Sequence, residues 1–245
     1  MDVIFIVGTA GSGKSTMASI LSKSLKDDGW EVATLNADPF SENLTYEPTV
    51  DVRNYIDHNE LSRKYGLGIN GTMVFSMDLL ATMIDEMLNE VGDVDYLIVD
   101  TAGQLELFIF RQSGQYLFQR IAGENKALLL VSDIFLVSEI SNFTIIQILF
   151  SAISSKFNSP VIQVINKIDL DSATAEKVKR WFLKPELIIT DLNKNVLSFS
   201  RVYKAARLSG LLSPAFFTSA ATGNGITELK AEISRIFKGG EDKKA

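Results

Sequence analysis

No cysteine occurs in this chain of 245 residues, so disulfides and thiolate metal sites are excluded outright. Histidine is almost as scarce. The single one, His58, cannot build a histidine-rich metal centre, and in its polar stretch it reads as a solvated surface residue. Positive charge is also in short supply. Against 30 Asp and Glu stand 24 Lys and Arg, for a net charge of −6. That balance argues against a broad basic face for nucleic acid or anionic lipid and favours a protein partner or a Mg2+-neutralised anion. No basic region precedes the first apolar run and no small-residue cleavage site follows it, so a secretory signal is not expected. The most lipid-like stretch, residues 128–150, carries Asp133, Glu139 and several serines. It reads as a buried strand followed by an amphipathic helix, with no membrane span. These absences together point to a cytoplasmic protein.

What is abundant is apolar material, 46% of the residues, enough for a sizeable core. Short β-branched and Leu-rich runs recur at residues 3–7, 31–36, 96–99, 127–131, 161–165 and 215–218, separated by longer helical stretches. Continuous apolar runs alternating with helices predict a doubly wound α/β domain, with a mainly parallel sheet covered by helices on both faces. Ligands are then expected at the carboxyl ends of the strands. Two spans exceed the minimal alternation, about 40–90 and 171–213, and read as helical insertions. Neither has linker composition at its edges, so residues 1–238 read as one domain, with a polar tail at 239–245 that frays.

Three motifs carry chemistry. Gly8-Thr9-Ala10-Gly11-Ser12-Gly13-Lys14-Ser15 fits G-x-x-x-x-G-K-[ST] between a strand and a helix. Gly11, Ser12, Gly13 and, just beyond, Thr16 are expected to curl backbone N–H groups around phosphates. Lys14 should reach the β- and γ-phosphates, and the Ser15 hydroxyl should ligate Mg2+. The strand at 96–99 ends in Asp100-Thr101-Ala102-Gly103-Gln104. There Asp100 is placed to hold Mg2+ directly or through water, Gly103 N–H to sense the γ-phosphate, and Gln104 to orient the attacking water. Asn166-Lys167-Ile168-Asp169 follows the strand at 161–165 and has the N-K-x-D pattern that reads guanine. Its Asp169 carboxylate accepts from the ring N–H and exocyclic amine, which adenine cannot satisfy. Lys167 packs along the base and Asn166 braces the loop. Ser219 and Ala220 fit the short loop that meets the guanine oxygen. In Asn36-Ala37-Asp38-Pro39, after the second strand, Asp38 is expected beside the γ-phosphate, the metal and the attacking water. Arg53 and Arg111 read as surface ion pairs rather than phosphate ligands.

Gly8 stands 92 positions before Asp100, much further than in small Ras-like switches. The intervening Asn36-Ala37-Asp38-Pro39, Tyr46-Glu47-Pro48-Thr49-Val50-Asp51-Val52-Arg53 and Gly68-Ile69-Asn70-Gly71, together with the run Asp100 to Phe108, resemble the GPN-loop GTPases, within the SIMIBI class of P-loop GTPases. The match runs from the phosphate cradle through Ala220, and the compact length resembles archaeal members. The family's Gly-Pro-Asn stands here as Gly68-Ile69-Asn70, and Ala102 replaces a frequent proline. The resemblance implies a homodimer whose Gly68-Ile69-Asn70 loop reaches across to the partner's phosphates. Asn70 would then stabilise the transition state in trans, with Asp38 and Gln104 handling water. It also implies a GTP/GDP cycle coupled to an unknown protein client, without direct nucleic-acid or membrane binding. Two alternatives share the cradle: a GTP-held dimer scaffold with little hydrolysis, and a small-molecule or polynucleotide kinase.

Overall fold

The computed structural model describes residues 1–184, 187–188 and 214–238. Its strands are β1 (Asp2–Gly8), β2 (Val32–Ala37), β3 (Val50–Asp51), β4 (Tyr96–Thr101), β5 (Lys126–Asp133), β6 (Val161–Asn166) and β7 (Ala215–Phe217). They form one seven-stranded sheet in the order β3-β2-β4-β1-β5-β6-β7, and every pairing is parallel. The helices are α1 (Lys14–Asp27), α2 (His58–Tyr65), α3 (Ile69–Leu88), α4 (Leu105–Ile109), α5 (Gln112–Arg120), α6 (Ile134–Val137), α7 (Ile140–Phe157), α8 (Ser172–Leu183) and α9 (Ile226–Lys238).

The runs are continuous because the sheet is buried on both faces. All of β1 is buried. Val3, Phe5 and Val7 pack with Met77 and Leu80 of α3, Phe108 of α4, Leu117 of α5 and Phe150 of α7. The alternate residues Ile4 and Ile6 pack with Met17 and Leu21 of α1 and with Leu229 and Ile233 of α9. Each such side chain contributes roughly 1.5–3 kcal/mol by leaving water. A third cluster joins Ile134, Phe143, Ile165, Val178 and Trp181 beneath α6, α7 and α8. By length and composition α7 is apolar enough to cross a membrane. Its Phe143, Ile146, Phe150 and Ile153, however, recur at helical spacing and are buried in the cores named above, which is the amphipathic helix expected there.

Local signals set the boundaries. Asp57 caps α2 by accepting from Asn59 N at 2.8 Å and Glu60 N at 3.1 Å, and Gly66 ends it in the left-handed region at φ 63°. Asp171 caps α8 through Thr174 N at 2.9 Å; side-chain oxygens there satisfy N–H groups that have no partner within the helix.

Three expectations need correction. The stretch from 40 to 57 holds no α-helix: it runs as a loop into the edge strand β3, whose two residues are too short for periodicity to reveal, and then makes a single 3-10 turn at Val52–Asn54. Gly68-Ile69-Asn70-Gly71 is not a free loop, since Gly68 is the N-cap of α3 and Ile69 its first residue. His58 is half-buried, with Nδ1 2.9 Å from Pro39 O and its ring 4.4 Å from that of Phe40. Arg53 and Arg111 do form ion pairs, with Asp51 at 2.6 Å and Asp78 at 3.1 Å. Residues 185–186 and 189–213 of the second expected insertion, and the tail at 239–245, lie outside the described residues.

Candidate active site

The three motifs leave the carboxyl ends of β1, β4 and β6, and the parallel sheet brings those ends to one edge. At β1 the chain turns into α1 through Gly13, the helix N-cap, at φ 92°. A Cβ at Gly13 would lie 2.5 Å from Asn166 Nδ2, so both the conformation and the space demand glycine. Lys14 is buried, and its ammonium donates to Gly8 O at 3.1 Å and Thr9 O at 3.0 Å. Burial lowers its pKa, while the Asp100 and Asp38 carboxylates work against that shift. The hydroxyls of Thr9 and Ser12 are buried in the cradle without hydrogen-bond partners. Buried donors left unmatched are costly, and phosphate oxygens are the acceptors this geometry suits.

Beside the cradle, Asp100 at the end of β4 is buried. Its Oδ2 accepts from Tyr46 OH at 3.2 Å, while its Oδ1 is buried with no partner. Burial pushes the Asp100 carboxyl up to about 6, against the pull of Ser15, Lys14 and Tyr46; Asp38 pushes the same way as burial. Burial, and the Asp100 carboxylate next to it, raise the Tyr46 phenol well above the ordinary tyrosine range. This donor set suits Mg2+, which takes few protein oxygens and keeps water and phosphate as further ligands. Asp100 Oδ1 and the Ser15 hydroxyl are the oxygens on hand. Among the described residues no cluster of three acids or histidines could form an all-protein cage.

Asp38 lies at the same edge. Its Oδ2 accepts from Gly103 N at 3.2 Å and its Oδ1 from Phe40 N at 2.9 Å. The expected water-positioning acid and the expected γ-phosphate sensor are thus hydrogen-bonded to each other. Asn36 shapes this turn: its Oδ1 accepts from Asp38 N at 3.1 Å, and its Nδ2 donates to Asp51 Oδ1 at 2.9 Å and Ser41 Oγ at 3.1 Å. Gln104, the N-cap of α4, lines a small enclosed cavity with Asp38, Gly103, Met73 and Met77.

At the end of β6, Asn166 ties three loops together. Its Nδ2 donates to Ser12 O at 3.0 Å, and its Oδ1 accepts from Ala220 N at 2.9 Å and Thr218 Oγ1 at 3.3 Å. The Ala220 N–H, placed by sequence near the guanine oxygen, is here donated to Asn166. Lys167 takes φ 64°, unusual for a side-chain-bearing residue, and its ammonium folds over the cradle onto Gly11 O. Asp169 is exposed and Ser219 buried.

One expected residue is not gathered in. Asn70 is exposed on the first turn of α3, and no hydrogen bond joins it to the cradle among the described residues. Sequence reasoning assigned no role to Asn36 or Tyr46, although both stand in segments that carried the resemblance. Tyr46 finds its partner 54 positions away, and Asn36 bonds Asp38, Ser41 and Asp51 across a turn whose shape no local pattern announces.

A parallel α/β sheet whose first strand ends in this cradle, with a buried acid on the adjacent strand, defines a P-loop nucleotide-binding protein. The protein family described as conserved hypothetical ATP binding protein matches residues 6–238. A GPN-loop GTPase of Pyrococcus abyssi is 27% identical over 93% of this chain and 94% of its own. GPN-loop GTPase 3 of Schizosaccharomyces pombe is 31% identical over 76% of this chain and 71% of its own. With GPN-loop GTPase 1 of that yeast the chain shares 31% identity but spans only 49% of its length. The crystal structure of the Pyrococcus abyssi GTPase in apo form superposes with a TM-score of 0.84, covering 96% of this chain and 97% of that one. The chain belongs to the GPN-loop GTPase family, a family of GTP hydrolases.

Proposed function

We propose that residues 1–238 act as one domain, a Mg2+-dependent GTP-hydrolysing switch that works as a homodimer in the cytoplasm and signals its nucleotide state to a protein client. The observation that carries this reading is the cluster at the strand ends, where the buried Lys14 ammonium sits on Gly8 O and Thr9 O and Asp38 Oδ2 accepts from Gly103 N–H at 3.2 Å.

In this reading Lys14 exchanges its two cradle carbonyls for β- and γ-phosphate oxygens, and N–H groups of residues 11–16 close on the phosphates. Ser15 and Asp100, with Asp38 near by, would hold Mg2+, whose charge would offset that of the β- and γ-phosphates. When the γ-phosphate takes the Gly103 N–H, Asp38 Oδ2 is released to accept from the attacking water, which Gln104 helps to align. Water adds to the γ-phosphorus as its bond to the β-bridging oxygen breaks, giving GDP and phosphate. Loss of that phosphate returns Gly103 to Asp38, so the contact alternates with the nucleotide. Asp169 accepts from guanine, Lys167 lies along the base, and the Ser219–Ala220 loop faces the guanine oxygen.

Asn70 acts on the partner's phosphates as a hydrogen-bond donor to charge developing in the transition state. Its place on an exposed turn beside Ile69, 74% exposed, supports contact with another chain. Ile69 is the first helical residue, where proline is favoured because no N–H partner is needed. The family's proline therefore has a compatible position here, and its replacement leaves the turn intact.

The test is phosphate release from Mg2+–GTP across a protein concentration series, with Mg2+–ATP alongside. GTP-selective release whose specific rate rises with concentration is expected. Mixing Asn70→Ala with Lys14→Ala protein then isolates action in trans. The mixed dimer's only working cradle belongs to the Asn70→Ala chain and faces an intact Asn70, so it should regain activity that neither variant shows alone. No regain sinks the trans role, and GTP binding without release at any concentration would leave a scaffold.

A further inference from the structure

The loop between β2 and β3 lies across the metal-facing acid, and its placement is built rather than incidental. Arg53 Nη1 donates to Ser41 O at 2.8 Å and stakes the loop near its start. Thr49 and Thr34 exchange backbone-to-hydroxyl hydrogen bonds at 3.2 and 3.1 Å and stake its end. In the middle, Thr45 Oγ1 donates to Ser15 O at 3.2 Å and Thr45 O accepts from Ser19 Oγ at 3.3 Å, fastening it to the first turns of α1. The next residue is Tyr46, whose ring packs against the core cluster under α1 and whose hydroxyl donates to Asp100 Oδ2.

We infer that Tyr46 is a positioning residue for the metal: its hydroxyl holds one oxygen of Asp100 and so presents the other, buried and unpartnered Oδ1, to Mg2+. A free carboxylate in a cavity can rotate, chelate with both oxygens or turn away. One tied at Oδ2 by a donor on a staked loop offers a single oxygen in a fixed direction, which suits the strict octahedral demand of Mg2+. The same contact makes the loop a reader of the metal, since whatever moves Asp100 moves Tyr46 and, through Thr45, the backbone of Ser15. Tyr46 touches neither the nucleotide nor the reacting atoms in this arrangement and acts through Asp100. The inference rests on the proposed metal roles of Ser15 and Asp100.

The test is Tyr46→Phe, which keeps the packed ring and removes only the hydroxyl. GDP dissociation is followed by displacement of a fluorescent GDP analogue, in excess Mg2+ and in chelator, and Mn2+ affinity of the GDP complex is read by electron paramagnetic resonance. Loss of an outer-shell partner of a metal ligand predicts Mn2+ binding weakened by about ten- to a hundredfold and a matching loss of the Mg2+-dependent slowing of GDP release. The rate in chelator stays at the parent's value. Asp100→Asn is measured beside it. If that variant loses the Mg2+ effect and Tyr46→Phe keeps it, Tyr46 has no positioning role. If Tyr46→Phe speeds GDP loss equally in chelator, the residue is only structural and the inference falls. If Asp100→Asn itself keeps the Mg2+ effect, the metal assignment fails first and takes this inference with it.

Discussion

Replacing Asn166 by alanine tests how the site is held together. The residue is 1% exposed and bonds three groups from two other segments: Ser12 O in the cradle, and Ala220 N and Thr218 Oγ1 after β7. Alanine removes all three bonds at once, and Ser12 and Ala220 are themselves buried. A buried backbone group left without its partner costs about 1–3 kcal/mol. Two of them, with the weaker hydroxyl contact, predict a loss of about 4 kcal/mol, a large share of a typical folding stability of about 5–15 kcal/mol. At about 2–4 °C per kcal/mol for a chain of this size, the melting temperature should fall by roughly 8–16 °C. GDP affinity should fall as well, because the cradle and the base-reading loop lose their common brace. Thermal or urea unfolding of the nucleotide-free protein, with calorimetric GDP titration, gives both quantities. A melting temperature within about 2 °C of the parent, with GDP affinity unchanged, would show that the clamp reasoning is wrong, since among the described residues it is Asn166 that satisfies Ser12 O and Ala220 N.

Asp169→Asn should leave stability unaltered, because Asp169 is exposed, yet shift preference from GTP toward xanthine nucleotide as an acceptor becomes a donor; unchanged competition between the two nucleotides refutes the base-reading role. Ile69→Pro should fold at least as stably as the parent: Gly68 already has φ −71° and ψ 170°, the extended conformation a residue before proline prefers, so a gain of about 0.4–1 kcal/mol is expected. A drop in melting temperature counts against the first-turn assignment. Burial holds Asp100 up to about 6 against an ordinary value of 3.8. A carboxyl that binds its proton more tightly when folded contributes stability that is full below its unfolded pKa and is lost as pH rises through the folded one. In chelator without nucleotide, Asp100→Asn should therefore gain on the parent in unfolding free energy between about pH 4 and about pH 7, by at most about 3 kcal/mol, read from urea or thermal melts. A constant gap would contradict the shift.

The alternating apolar runs were enough to predict the parallel sheet, because strands buried on both faces need no polar alternation. The segments Gly8–Ser15, Asp100 and Asn166–Asp169 could be picked out directly as short local stretches, and the sheet sets them at the ends of β1, β4 and β6; the phosphate, metal and base roles proposed for them follow from their residue types. The resemblance that named the family rested on equally local runs. Local order failed where a feature was short or its partner distant. Two residues of β3 leave no periodicity, and a lone Gly68 before an apolar stretch reads as a turn as readily as an N-cap.

Tertiary structure alone decided the pairings. That Asp38 holds Gly103, that Tyr46 reaches Asp100 from 54 positions away, and that Asn166 clamps Ser12 to Ala220 depend on which strand ends the sheet sets side by side. Strand order is a property of the whole packed core, where Phe5 and Ile4 on opposite faces choose their helices together. The residue types of the site are therefore legible in the sequence, whereas the bonds among them are not, because a hydrogen bond needs two groups brought within about 3 Å and only the fold supplies that distance.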